Sequence, residues 1–209
     1  MRAAASWLAA VWLLVGLLAP LSVRADPLPP AAVPVKALGD ALLQSMRTGA
    51  SQPFEQRFDR LAPVIDRAFD LNALLRACVG PRWASLSPRD QAALSQVFHR
   101  FMVASYVANF ANYKDEKFEI LPEQRAIGAD QVVATQFVGQ TGEGDTRIDY
   151  VMHDNHGTWK AVDVLLDGTI SRVAVQRSDF RRVLDSSGVN GLVGSLEKKI
   201  AAYQAGAND

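Results

Sequence analysis

The chain has 209 residues, 49% hydrophobic and 21% charged, with a formal net charge of zero. That balance suits a globular protein with enough apolar material for a core. It excludes the basic footprint of a nucleic-acid binder and the polybasic surface that clings to anionic membranes.

The N-terminus reads as a secretory signal. Arg2 supplies the positive start, Trp7 to Leu18 is an uncharged apolar run, and Pro20 ends it. Val23-Arg24-Ala25 has the small-x-small form of a cleavage site. The run is shorter than the roughly 18 residues of a membrane span. Cleavage near Ala25 is therefore expected, which leaves a net charge of about −2. No later segment is apolar enough to span a bilayer, so the mature chain is expected outside the cytoplasm, in the periplasm of a bacterium. Cys78 is the single cysteine and has no internal disulfide partner in that oxidising compartment. Beside Leu74, Leu75 and Val79 it reads as a small buried hydrophobe.

Pro27, Pro29, Pro30 and Pro34 predict an extended start over residues 26–34. From Val35 the period is helical, with Leu38, Leu42 and Met46 on one face. A second helix is expected from a Ser51 cap through Arg57, Leu61 and Ile65, kinked or divided at Pro63. Asp70 caps a third, with Leu71, Leu74, Leu75 and Cys78 inward, and Gly80-Pro81 ends it. Ser87-Pro88-Arg89-Asp90 is a helix start by cap, first-turn proline and first-turn charge. The helix that follows is expected to reach Tyr113. Leu94, Phe98, Phe101, Met102, Tyr106, Phe110 and Tyr113 recur along it at spacings of three and four. This apolar surface is wide and aromatic, and must meet more than one partner, or a partner and a cavity.

At Lys117 the period drops to two. Phe118 to Leu121, Gln131 to Gln140, Arg147 to His153, Thr158 to Leu166 and Ile170 to Gln176 read as strands. Gly142 to Asp145, Asp154 to Gly157 and Asp167-Gly168 are links of hairpin length, which predict an antiparallel meander. Two helices are expected at the end, from Ser178 and from about Asn190. Helices, then strands, then helices is an α+β order, with the helical layer on one face of a curved sheet. No linker divides the mature chain, 26–209, which reads as a single domain.

Catalytic patterns are absent from the sequence. There is no phosphate loop and no Gly-x-Ser-x-Gly elbow. His153, Asp154 and His156 sit in one turn and fall short of a four-ligand metal site; a polar hairpin tip accounts for them. His99 reads as exposed. Asp149 and Asp163 lie in mid-strand, and such a pair of carboxylates suits general acid–base work. Structural pairing with Arg147, Arg172 or Arg177 is the plainer reading. Apolar residues occupy both parities of some strands: Val132 beside Val133, Phe137 beside Val138, and Trp159, Ala161 and Leu165 between Val162, Val164 and Leu166. An antiparallel sheet wet on one face alternates cleanly. Either helices cover both faces, or helix and sheet stand apart around a ligand cavity.

Four segments resemble the MlaC family, also called the toluene-tolerance auxiliary family. They are Phe69 to Trp83 (FDLNALLRACVGPRW), Leu86 to Tyr113, Thr135 with Ile148 to Met152 (IDYVM), and Trp159 to Phe180. The last, with Trp-Lys, Asp-Val and the closing Arg-Ser-x-Phe, is the most specific, and Gly191-Leu192 also fits. The resemblance implies a periplasmic lipid-binding protein that serves an ABC transporter and performs no catalysis. It implies a helical layer wrapped on a curved antiparallel meander, loosely a cone of the nuclear-transport-factor type, with lipid tails between the layers. No cofactor is implied; the bound lipid is cargo, and a monomer is expected.

The expected cavity wall is Leu94, Phe98, Phe101, Tyr106, Phe110, Val133, Phe137, Tyr150, Trp159, Val162, Val164 and Val175. Arg76, Tyr113 and Arg177 are the expected polar mouth for a head group. Before Arg177 the family commonly has Asn-Tyr, whereas this chain has Val175-Gln176. That departure is similar to the hopanoid-associated HpnM branch, linked to an RND-type exporter, and implies a hopanoid as the alternative to a phospholipid. The rival to a carrier is an adaptor or structural protein with a solid core.

Overall fold

The structure is a computed structural model that describes residues 27–139 and 145–207. The expected signal segment and most of the turn at 142–145 lie outside the described residues. Four helices come first: α1 (Ala32–Thr48), α2 (Phe54–Ala68), α3 (Leu71–Val79) and α4 (Pro88–Asn109). Five strands follow, β1 (Lys117–Ile127), β2 (Asp130–Val138), β3 (Thr146–Asn155), β4 (Thr158–Leu166) and β5 (Ile170–Ser171). They form one antiparallel sheet in chain order. α5 (Arg172–Gln204) closes the chain. This is the α+β meander that the sequence predicts.

Local chemistry sets most boundaries. Asp70 Oδ1 accepts the Ala73 N–H at 2.9 Å and starts α3, while Gly80, at φ 71°, ends it. Ser87 Oγ accepts the Asp90 N–H at 3.1 Å and starts α4. β3 and β4 are joined by His156 and Gly157 alone, both at positive φ (54° and 87°), as a two-residue hairpin requires.

Several expectations are corrected. α1 begins at Ala32, so Pro34 lies in its first turn, where a missing N–H costs nothing. Ser51 does not cap α2. Pro53 forces Gln52 into an extended conformation, and the helix starts after it at Phe54. Pro63 is accommodated within an unbroken α2. α4 stops at Asn109, short of Tyr113, and Asp115 takes a left-handed φ of 61° before β1. β1 runs on to Ile127 by absorbing Pro122 in a bulge on the sheet edge.

The largest difference is at Ile170 to Gln176. Only Ile170–Ser171 is strand, and α5 starts at Arg172 rather than Ser178. Ser171 Oγ accepts the Ala174 N–H at 2.9 Å, and Asp163 Oδ1 accepts the Val173 N–H at 3.1 Å. These two caps outweigh the strand preference of Val173 and Val175. α5 breaks at Gly188 (φ 65°), close to the division expected near Asn190.

The helices cover one face of the sheet. Val133, Phe137, Ile148, Tyr150, Met152, Ala161 and Val164 face them and join one core with Leu38, Leu42, Leu61, Leu75, Phe98, Phe180 and Leu196. Phe69 bridges to Ala161, and the Asp70 N–H bonds the Ala161 carbonyl at 3.0 Å, which pins the α2–α3 corner to β4. Val132, Val151 and Leu165, with Val162 against them, form a small separate cluster that no helix residue joins. Helices on both faces are thus not the cause of the two-sided apolar strands.

Candidate functional site

Beneath α4 the helical layer and the sheet do not close on each other. A cavity of about 600 Å³ lies between them, within the range of small-molecule sites. One wall is a stripe of α4, Phe98, Phe101, Met102, Ser105, Tyr106 and Asn109, continued by Phe110 just past its end. Phe137, Ile148, Val164 and Leu166 line it from the sheet, Leu74 and Cys78 from α3, Met46 from α1, and Val173 and Gln176 from α5. The deep part is apolar and buried. The rim is polar and exposed, with Asn109, Asn112, Lys114, Thr146 and Arg172.

Aromatic contacts shape the wall. Phe118 meets Phe137 at 5.1 Å between ring centroids, Phe137 meets Phe110 at 5.2 Å, and Phe110 stacks on Tyr106 at 5.7 Å. Tyr106 then meets Phe69 at 5.5 Å, and Phe69 meets Tyr150 at 6.1 Å. The series spans from sheet to helices, with each ring in contact with a neighbour. Gly39 permits its edge: a Cβ there would lie 2.1 Å from the Phe118 ring.

The Asp163 carboxylate beside the cavity is engaged. Asp163 accepts from Ser171 Oγ (2.5 Å) and from the Val164 and Val173 N–H groups (2.7 and 3.1 Å). Its carboxylate therefore ties the start of α5 to β4. Burial pushes the Cys78 thiol up to about 12, with Asp163 adding to the rise and Arg177 opposing it. Burial likewise holds the Tyr106 and Tyr150 phenols above their ordinary range.

Asp149 lies elsewhere. It is fully buried on the outer face, where Arg125 Nη2 donates to Oδ2 at 2.9 Å and Arg147 donates to both oxygens at 3.0 Å. Arg147 also grips Glu123. The geometry does not bring Asp149 and Asp163 together. The two-sided apolar pattern has two causes: the cavity and inner core on one face, and the small outer cluster beside this ion network on the other. At the hairpin tip His153 pairs with Asp130 at 2.6 Å and His156 with Asn155 at 2.9 Å.

Of the expected wall, Phe98, Phe101, Tyr106, Phe110, Phe137 and Val164 line the cavity. Leu94, Val133 and Tyr150 are packed in the core beside it. Trp159 is half-buried against that core, Val162 belongs to the outer cluster, and Val175 is 45% exposed. The expected mouth residues do not line it. Arg76 lies over the Trp83 ring at 6.0 Å, Arg47 lies over Tyr113 at 5.2 Å, and Arg177 packs on Gly80. Ser105, Asn109, Arg172 and Gln176 were not anticipated. The first two continue the α4 stripe at helical spacing but are polar, and the last two sit where a strand period was assumed.

The family description "MlaC protein" matches residues 36–198. No curated protein matches the chain. Among solved structures, the phospholipid-binding protein from Ralstonia solanacearum, determined in complex with a phospholipid, has the same fold. Its TM-score is 0.70 at 22% identity, over 83% of this chain and 98% of that one. The chain belongs to the MlaC family.

Proposed function

We propose that this protein is a periplasmic lipid carrier. It holds the apolar part of a lipid in the cavity between α4 and the sheet, shuttles it between membrane transport complexes, and performs no covalent chemistry. The cavity itself carries the reading: aromatic and aliphatic at depth, polar at the rim, in a fold whose Ralstonia solanacearum representative was solved with a phospholipid. A lipid leaves a bilayer slowly because each CH₂ costs about 0.8 kcal/mol to expose. Sixteen carbons make a barrier on the order of 12 kcal/mol, which a dry wall of this kind offsets.

Two finer points belong to the same proposal. The partner is an inner-membrane lipid transport complex of ABC or RND type, met by a monomeric carrier. The cargo is a phospholipid or a hopanoid. Gln176 supports weighing the hopanoid, because it occupies a position where the family commonly has an aromatic and it lines the cavity. The lack of convergence between Asp149 and Asp163 supports a non-enzymatic role.

The test is mass spectrometry of lipids extracted from the protein, purified from its native host without detergent. A stoichiometric phospholipid supports the family cargo, and a hopanoid supports the HpnM branch. Folded protein without lipid refutes the carrier and favours the adaptor.

A further inference from the structure

A second cavity, of about 380 Å³, lies between α1 and α2 and shares no lining residue with the first. Its chemistry differs. Gln44, Ser45 and Thr48 line it from α1, Gln52 from the turn, and Arg57 and Arg60 from α2. Among the described residues no Asp or Glu lines it.

Two polar groups inside are enclosed without a partner among the described residues. Ser45 is 7% exposed, and its Oγ makes no hydrogen bond. Arg57 Nε is also enclosed and makes none. Arg57 Nη1 donates to the Val107 carbonyl of α4 at 3.0 Å, which holds the guanidinium in place. Arg60 Nη1 donates to Gln52 Oε1 at 2.7 Å and is braced at the exposed side. A half-buried cation with no carboxylate beside it is costly unless an anion completes it. Burial accordingly pulls the Arg57 pKa down. Two braced guanidiniums line the space, and a rotation of the Ser45 side chain about Cα–Cβ would add its hydroxyl, a donor set suited to a tetrahedral oxyanion.

We infer that this α1–α2 cavity is a phosphate-binding site, held by Arg57, Arg60 and Ser45 and separate from the lipid cavity. The phosphate is either free or the phosphodiester of a lipid head group. Ser45 and Met46 are consecutive on α1, and Met46 lines the lipid cavity, so the same helix wall separates the two sites.

The experiment is an NMR titration of the ¹⁵N-labelled protein, once with inorganic phosphate and once with glycerophosphoglycerol, a tail-less phospholipid head group. Chloride at equal ionic strength is the control. Saturable shifts confined to the amides of α1 and α2 are expected. Arg60→Gln is expected to weaken them roughly tenfold, the loss typical of a charge-assisted hydrogen bond. Arg57→Gln should do the same; because it also breaks the contact to Val107, the exposed Arg60 variant carries the test if that protein unfolds. Saturation by inorganic phosphate alone assigns a free ion, and saturation by the diester assigns a head group. Shifts no larger than those from chloride, or undiminished in folded Arg60→Gln protein, overturn the site. Lipid retained by Arg60→Gln, measured in parallel, keeps this outcome separate from that of the carrier.

Discussion

Ser105→Trp tests the cavity directly. Ser105 is a small, half-buried residue on the α4 stripe, and its hydroxyl donates to its own helix, at the Met102 carbonyl (3.0 Å). An indole there has about 600 Å³ of space to enter, so folding need not be disturbed. A Trp side chain covers about 150–250 Å², and that surface is then lost to the cargo. At about 25 cal/mol per Å² the lipid forfeits roughly 4–6 kcal/mol of contact, or about 3–5 after partial rearrangement. The expected result is a fall in bound lipid affinity on the order of a hundredfold or more, with thermal stability unchanged or raised. Lipid per protein, measured by mass spectrometry beside a thermal melt, is the assay. Val133→Trp is the contrast, because Val133 is packed in the core at 7% exposure. It should lose about 1–3 kcal/mol of stability by overpacking. A folded Ser105→Trp protein with normal lipid loading would refute the placement of cargo in this cavity.

Asp149→Asn leaves two guanidiniums facing each other on the outer face. It should cost about 1–3 kcal/mol in urea unfolding, moderated because both arginines keep solvent contact, with lipid loading per folded molecule intact. The Cys78 thiol stands above its ordinary value near 9.0. Above that pH the unfolded chain loses a proton that the native chain keeps, so stability is full below about pH 9 and falls toward pH 12, by up to ~1.4 kcal/mol per unit. Cys78→Ala should remove that part of the alkaline slope in pH-dependent melts. Gly39→Ala gains helix propensity but drives a Cβ into the Phe118 ring. A net loss of about 1–2 kcal/mol is expected in denaturant unfolding, and a stabilised variant would show that Phe118 moves freely.

The sequence was most legible where one local rule acted alone. Asp70 and Ser87 cap their helices, and His156-Gly157 makes a two-residue hairpin turn, each by local residue type. It was least legible where a distant residue decided. Ile170 to Gln176 alternates like a strand, but Asp163 on β4, ten residues before Val173, accepts the Val173 N–H and makes a helix start there. That single error displaced Arg172 and Gln176 from the cavity and put Val175 into it. The α4 stripe was readable by period, yet only its apolar members were taken, so Ser105 and Asn109 were passed over. Core and cavity residues such as Leu94 and Phe98 cannot be told apart by type, since both face a dry environment; only their opposing surfaces differ. The second cavity left no signal, because arginines at helical spacing such as Arg57 and Arg60 are equally at home on a helix surface and in a recess.

Release demands that the cavity open, and Asp163 marks where opening is resisted. Its carboxylate joins the start of α5 to β4 through the Ser171 hydroxyl and the Val173 N–H, beside the rim residue Arg172. Asp163→Ala removes both acceptors and the negative charge at the helix start. Charge-assisted hydrogen bonds contribute about 1.5–3 kcal/mol each and the helix dipole about 0.3–1. After water replaces part of that, a loss of about 2–3 kcal/mol is reasonable. The loss should fall on local opening rather than on global unfolding alone. Hydrogen exchange at residues 172–176 should accelerate, and transfer of a fluorescent phospholipid from the protein to vesicles should quicken severalfold. Asp149→Asn is the matched control, because it lowers stability on the opposite face. Equal transfer rates in the two variants would show that the start of α5 is not part of the exit.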